Sequence, residues 1–129
     1  MKKRILVVDD DRDMLALLQD LLESEAYEVD TAHDGLLALE KLVHRRERYE
    51  VILLDLTMPR MNGLQLIQVL RQQEEAWVRK IIVVSGNQDA MQQATWLGIR
   101  FYLAKPFDLE TLLDLVSTCY FCSSEDSRV

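Results

Sequence analysis

The sequence predicts an open α/β fold, a parallel sheet covered by helices on both faces. Three observations predict it. Short apolar runs, Ile5-Leu6-Val7-Val8, Val51-Ile52-Leu53-Leu54 and Ile81-Ile82-Val83-Val84, have the length and composition of strands buried on both sides. Stretches with apolar residues at helical spacing separate them, as crossover helices do. Polar residues capable of chemistry follow the apolar runs directly, where open sheets of this class place their ligand crevice.

Taken in order, Ile5 to Val8 is the first strand and Asp9-Asp10-Asp11 ends it, with Asp11 placed to cap the next helix. Met14, Leu15, Leu17, Leu18, Leu21 and Leu22 form the apolar stripe of that helix, which stops near Ala26. Tyr27 to Ala32 alternates and reads as an edge strand. Asp34-Gly35 opens a second helix, closed by Arg45, Arg46 and Arg48 near its carboxyl end. Val51 to Asp55 is the third and central strand, halted by Pro59.

Asn62-Gly63 restarts the chain as a helix cap, and Leu64, Ile67 and Leu70 mark the third helix. Ile81 to Val84 is the fourth strand, ended by Ser85-Gly86-Asn87. A fourth helix with Met91, Ala94 and Leu97 stops at Gly98. Phe101-Tyr102-Leu103-Ala104 is the fifth strand, then Lys105-Pro106. Asp108 caps a last helix whose Leu109, Leu112, Leu113 and Val116 face the core. Five strands thus alternate with five helices, with no internal repeat or linker.

With 129 residues, 49% of them hydrophobic, the chain suits one domain with a substantial core. Its formal net charge of −7 argues against a direct nucleic-acid groove. No apolar run approaches the roughly 20 residues of a membrane span. The basic start is followed too soon by Asp9-Asp10-Asp11 to be a signal peptide, so a cytoplasmic location is expected. Cys119 and Cys122 fall at the end of the last helix with no partner pair, and are expected as reduced thiols.

The chemistry is expected at the carboxyl ends of the strands. Asp9, Asp10, Asp55, Ser85 and Lys105 should line one shallow pocket there. Three carboxylates at close range repel one another, and a divalent cation relieves that. All-oxygen ligands without His or Cys favour Mg²⁺, with Mn²⁺ as a substitute. A cation, an ammonium, a hydroxyl and a carboxylate nucleophile together suit phosphoryl transfer to an aspartate.

From Lys3 to Cys119 the chain resembles the receiver domains of response regulators in two-component, phosphorelay signalling. The matching pieces are Ile5-Leu6-Val7-Val8-Asp9-Asp10, Leu54-Asp55 with Met58-Pro59 and Asn62-Gly63, Val84-Ser85-Gly86, and Tyr102-Leu103-Ala104-Lys105-Pro106-Phe107. The resemblance implies a flavodoxin-like (βα)5 fold with strand order 2-1-3-4-5. It implies a receiver domain over residues 1–121 and a disordered polar tail over 122–129.

Residue by residue, the resemblance makes Asp55 the phosphoacceptor. Asp9, Asp10, Asp55 and the backbone carbonyl of Thr57 would be the Mg²⁺ ligands. Lys105 would pair with the acceptor and then with the phosphoryl oxygens. Ser85 and Tyr102 would be the switch residues, and the Lys105-Pro106 bond would be cis. The donor would be a sensor histidine kinase or histidine phosphotransfer protein. Phosphorylation would switch the surface of the fourth helix, fifth strand and fifth helix toward an output domain or target protein. A homodimer through the fourth and fifth helices is the oligomer to expect, given the apolar Trp96 and Phe101.

Ile99-Arg100-Phe101 departs from the family's small and acidic residues before the tyrosine, and Thr57 and Asn87 occupy variable flanking positions. Two other functions compete. A Mg²⁺-dependent phosphatase with an aspartate nucleophile usually carries a second acid two residues later, where Thr57 stands. A docking receiver that works without phosphorylation should lack Asp10, Asp55 or Lys105. The expected protein is therefore a signalling module, not an enzyme beyond its own phosphorylation and dephosphorylation. Asp11, Asp34, Asp89 and Asp108 read as helix-opening residues, Trp77 and Trp96 most simply as packing residues (Trp96 alternatively as a partner anchor on the output face), and His33 and His44 as surface histidines away from the pocket.

Overall fold

Register explains why the strand ends meet. In the computed structural model, which describes residues 3–58 and 60–126, five parallel strands form one sheet. They are β1 (Arg4–Val8), β2 (Glu28–Ala32), β3 (Val51–Asp55), β4 (Ile81–Ser85) and β5 (Phe101–Ala104), in the order β2-β1-β3-β4-β5. Val8 stands opposite both Ala32 and Leu54, Asp55 opposite Val84, and Ser85 opposite Ala104. The residues that follow the strands therefore share one edge. The expected order and all five strands are observed.

Each central strand is apolar on both sides because each side has its own core. Ile5, Val7, Leu53, Ile82 and Val84 face α1 (Arg12–Ser24) and α5 (Leu109–Asp126), meeting Leu18, Leu22, Leu112 and Val116. Leu6, Val8, Ile52, Leu54 and Val83 face α2 (Gly35–Leu39), α3 (Gly63–Gln73) and α4 (Gln88–Trp96), meeting Ala38, Leu66, Ile67 and Ala94. Alternation along a strand sends successive side chains to opposite faces, so a continuous apolar run fills two layers.

The helices begin where their caps dictate. Asp11 accepts from the N–H groups of Asp13 and Met14 at 3.0 and 3.2 Å. Asn62 and Gln65 form a reciprocal capping box, both bonds 2.9 Å. Asp108 accepts from Thr111 at 2.7 Å. Asn87, rather than Asp89, caps α4 through the Ala90 N–H at 3.1 Å, and Asp89 lies in the first turn. Gly98 ends that helix at φ +97°, a conformation that other residues resist.

Three boundaries differ from expectation. The second helix is regular only to Leu39 and then loosens into a π-helical turn, Glu40–His44, before Arg45. A 3-10 segment, Glu75–Lys80, precedes β4. The last helix runs to Asp126, past its expected end at Cys119 and Cys122, because the buried Cys119 extends its apolar stripe and neither Gly nor Pro interrupts Ser123-Ser124-Glu125-Asp126. Residues 127–129 of the expected tail lie outside the described residues, as does Pro59.

At the opposite edge of the sheet Tyr49 is buried. Its hydroxyl donates to Asp30 at 2.6 Å with Glu47 at 3.0 Å, and Arg4 covers its ring at 4.7 Å while bonding Asp30 at 2.8 Å. Burial, then the two carboxylates, push the phenol's pKa upward. Among the described residues no helix is long and apolar enough to cross a membrane; Cys119 and Cys122 form no disulfide, and the Cys119 thiol donates to the Arg79 carbonyl at 3.6 Å.

Candidate functional site

The loops after β1, β3, β4 and β5 bring the site together. Asp9 follows β1 and is 4% exposed; its backbone N–H continues the ladder to the Ala32 carbonyl at 3.1 Å. Its Oδ1 accepts from the Asp11 N–H at 2.9 Å, which fixes the start of α1. Asp10 beside it is exposed. Asp55, the last residue of β3, is 6% exposed and accepts from the Thr57 N–H at 3.1 Å. One carboxylate oxygen from each of Asp9, Asp10 and Asp55 lies within 4.8 Å of the others.

Lys105 stands across from them. Its Nζ is 3.3 Å from Asp9 Oδ2 and 3.6 Å from Asp55 Oδ2. The Lys105-Pro106 bond is cis, and the Lys105 N–H donates to the Ser85 carbonyl at 2.9 Å. Burial lowers the ammonium's pKa, but Asp55 and Asp9 raise it further, so it stays charged. At Asp55, burial raises the pKa to about 6. The Thr57 N–H and Lys105 oppose that rise and Asp9 adds to it.

The loop after β3 packs without clearance. A Cβ on Gly63 would sit 2.7 Å from both the Asp55 carbonyl oxygen and the Leu56 Cα. The Gly63 N–H donates to the Leu56 carbonyl at 3.0 Å, closing residues 56–63 into a tight excursion. Thr57, exposed near the start of this excursion, follows the carboxylate whose oxygen its own N–H holds.

Ser85 reaches the same edge with its hydroxyl bonded to Asn87. It is 1% exposed, and its Oγ accepts from the Asn87 N–H at 3.0 Å and lies 3.4 Å from the Asn87 carbonyl. Tyr102 is half-buried on β5, and its hydroxyl donates to the Ile99 carbonyl. Trp77 is half-buried with Lys80 over its ring, whereas Trp96, expected first as a packing residue, is 74% exposed on α4 and so is not part of the core.

His33 is an exposed histidine at the start of α2, as expected, but it is not remote from the site-bearing edge. It follows β2 directly, on the same edge as the carboxylates, with Nδ1 3.6 Å from Asp34 Oδ2. The expected strand end at Ala32 already implies this edge, whereas reading the histidine from the helix alone hides it. Asp34 caps α2 as expected, through the Leu37 N–H at 2.9 Å, but it also accepts from the Arg60 guanidinium. No sequence signal marks Arg60: it reaches Asp34 through a φ of +65°, across 26 residues of separation.

The donor set fits a hard divalent cation. Three carboxylates converge, and no His or Cys stands among them. One ammonium cannot balance them.

The response regulator receiver domain family model matches residues 5–117 of the chain. Response regulator ArlR of Staphylococcus saprophyticus is 36% identical over 112 residues, which cover 85% of this chain and 49% of that protein. The chain thus spans about half the length of the curated relatives it matches. A receiver-domain structure from Bermanella marisrubri is 42% identical with a TM-score of 0.81, over 92% of this chain and 98% of that one. Chemotaxis protein CheY4 of Vibrio cholerae gives 30% identity and a TM-score of 0.82 over 92% and 99%. A CheY-like receiver domain protein from Methanospirillum hungatei gives 27% and 0.88 over 98% and 99%.

Proposed function

The chain belongs to the response regulator receiver domain family, and from that premise we propose that it accepts a phosphoryl group on Asp55 in a Mg²⁺-dependent transfer from a phosphohistidine. The observation that carries the reading is the meeting of Asp9, Asp10 and Asp55 with the Lys105 ammonium on one edge of the sheet. Asp9, Asp10, Asp55 and the Thr57 carbonyl would hold the ion. When bound, Mg²⁺ neutralises the carboxylates and the oxygens of the group in transit.

The chain's own residues supply the rest. An Asp55 oxygen attacks phosphorus; the donor's P–N bond breaks as the P–O bond forms, and the imidazole nitrogen leaves with the electron pair. Burial of Asp55 keeps water from competing for its oxygens. Lys105, already 3.6 Å from Asp55, moves its contact to a phosphoryl oxygen. Ser85 exchanges its bond to Asn87 for one to the phosphoryl group. That exchange releases the cap region of α4 and biases the α4–β5–α5 surface, Tyr102 included, toward a second arrangement.

A sensor histidine kinase or histidine phosphotransfer protein is the donor this chemistry requires. An apolar groove of about 390 Å³ runs beside Lys105, lined by Met14, Leu17, Pro106, Phe107 and Leu109. Its size and composition suit an apolar helix face presenting a phosphohistidine to Asp55. The output partner, acting through α4 and β5, is a target protein or an attached domain.

The test is incubation with Mg²⁺ and a small acyl- or amido-phosphate, followed by intact-mass measurement. The parent chain should gain one phosphoryl group, and neither Asp55→Asn nor the Mg²⁺-free sample should. Equal modification of Asp55→Asn would overturn the assignment.

A further inference from the structure

The short loop after β2 touches both loops that carry the proposed metal ligands. We propose that Asp34, clasped by Arg60, is a positioning residue that ties these loops together and sets the affinity of the metal site. The inference rests on reading this edge as a Mg²⁺-dependent phosphoacceptor.

Asp34 is 1% exposed, so its charge must be met by fixed partners. One oxygen accepts from the Leu37 N–H at 2.9 Å, which satisfies the helix cap. The other accepts from Arg60, a residue of the acceptor loop whose side chain is 58% exposed. An arginine at φ +65° is disfavoured by its own Cβ, so surrounding contacts must hold it there. The Asp34 carboxylate is one such contact. The seat of Met61 is another: a Cβ on Gly35 would lie 2.5 Å from the Met61 carbonyl oxygen.

The same loop grips the other side of the site. The Ala32 carbonyl accepts from the Asp9 N–H at 3.1 Å. Residues 32–35 are therefore a strap, bonded at one end to the segment bearing Asp9 and Asp10. At the other end they hold the outer corner of the loop bearing Thr57. Asp55 itself is rigid, as the last residue of a central strand. Thr57 is exposed; its N–H is held by Asp55 Oδ1 at 3.1 Å, and beyond it the outer corner of its loop is held by Arg60 on Asp34 and Met61 on Gly35. Releasing Arg60 lets the Thr57 carbonyl drift relative to the three carboxylates.

A role confined to capping or surface pairing would lower stability and leave the folded protein's metal affinity unchanged. The strap predicts the reverse emphasis. The full chain and its Arg60→Ala, Arg60→Lys and Asp34→Asn variants would be titrated with Mn²⁺ by electron paramagnetic resonance and with Mg²⁺ by calorimetry. Circular dichroism at the same temperature would show that each is folded.

Arg60→Ala and Asp34→Asn should weaken binding about tenfold, the scale of lost outer-shell support, and Arg60→Lys should recover most of it. Binding by folded Arg60→Ala within about twofold of the parent would overturn the proposal. Should Asp34→Asn not fold, the comparison of the two Arg60 variants decides it. A parent chain that binds neither ion would bring down the phosphoacceptor reading along with the strap. A parent that binds with indifferent variants would bring down the strap alone.

Discussion

The Asp55 carboxyl titrates above its usual range, at about 6, because burial penalises its ionised form. The sign follows from linkage. A carboxyl raised on folding contributes stability below its unfolded pKa near 4 and loses it as pH rises through about 6. At neutral pH without metal, ionised Asp55 therefore destabilises the fold, by about 3 kcal/mol. Asp55→Asn should be the more stable protein at pH 7.5, and the gap should close toward pH 4. Urea denaturation at the two pH values checks this. Lys105 acts on the same group from across the site. Lys105→Met should move the Asp55 titration still higher, as followed by carboxyl carbon chemical shifts in NMR.

Among the elements, the excursion between β3 and α3 tolerates least. Gly63→Ala would force a Cβ onto the Asp55 carbonyl and the Leu56 Cα, both backbone atoms that cannot rotate away. A loss of about 1–3 kcal/mol is expected, together with slower phosphorylation from a displaced carboxylate. Thermal denaturation and the rate of mass gain measure the two effects separately.

The strands and their terminal residues were legible beforehand. Apolar runs such as Ile81-Ile82-Val83-Val84 fit only two-sided burial, and parallel register carries Asp9, Asp55, Ser85 and Lys105 to one edge. What escaped were features set by tertiary contact. The π-helical turn at Glu40–His44 has no mark in the sequence, and Tyr49 lay in what read as a loop. The Arg60–Asp34 pair joins loops that local pattern cannot relate. The orientation of Ser85 toward Asn87 depends on a backbone turn rather than on residue type.

For the molecule as a whole, one sheet separates two cores that share no side chains. Leu66 and Leu112 are each 0% exposed, on opposite faces. Leu66→Ala and Leu112→Ala should each cost about 2–5 kcal/mol. Their effects should add in the double variant, because the two residues lie in separate cores on opposite faces of the sheet. A single urea transition in all three proteins would show that the sheet couples the layers into one unit.

Metal should act on that unit through mass action. Mg²⁺ at a hundredfold its dissociation constant should raise unfolding free energy by about 2.7 kcal/mol. Chelation should reverse the gain, and Asp10→Asn should largely abolish it. Differential scanning calorimetry with and without the ion gives the comparison.

Two tryptophans in the chain differ sharply in surroundings. The indole of Trp77 is lodged beside Lys80, whereas that of Trp96 stands 74% in solvent on α4. Emission from the long-wavelength edge of the spectrum therefore comes chiefly from α4. The protein carries a built-in optical label on the surface where an output partner is expected, and contact there can be followed without attaching a dye.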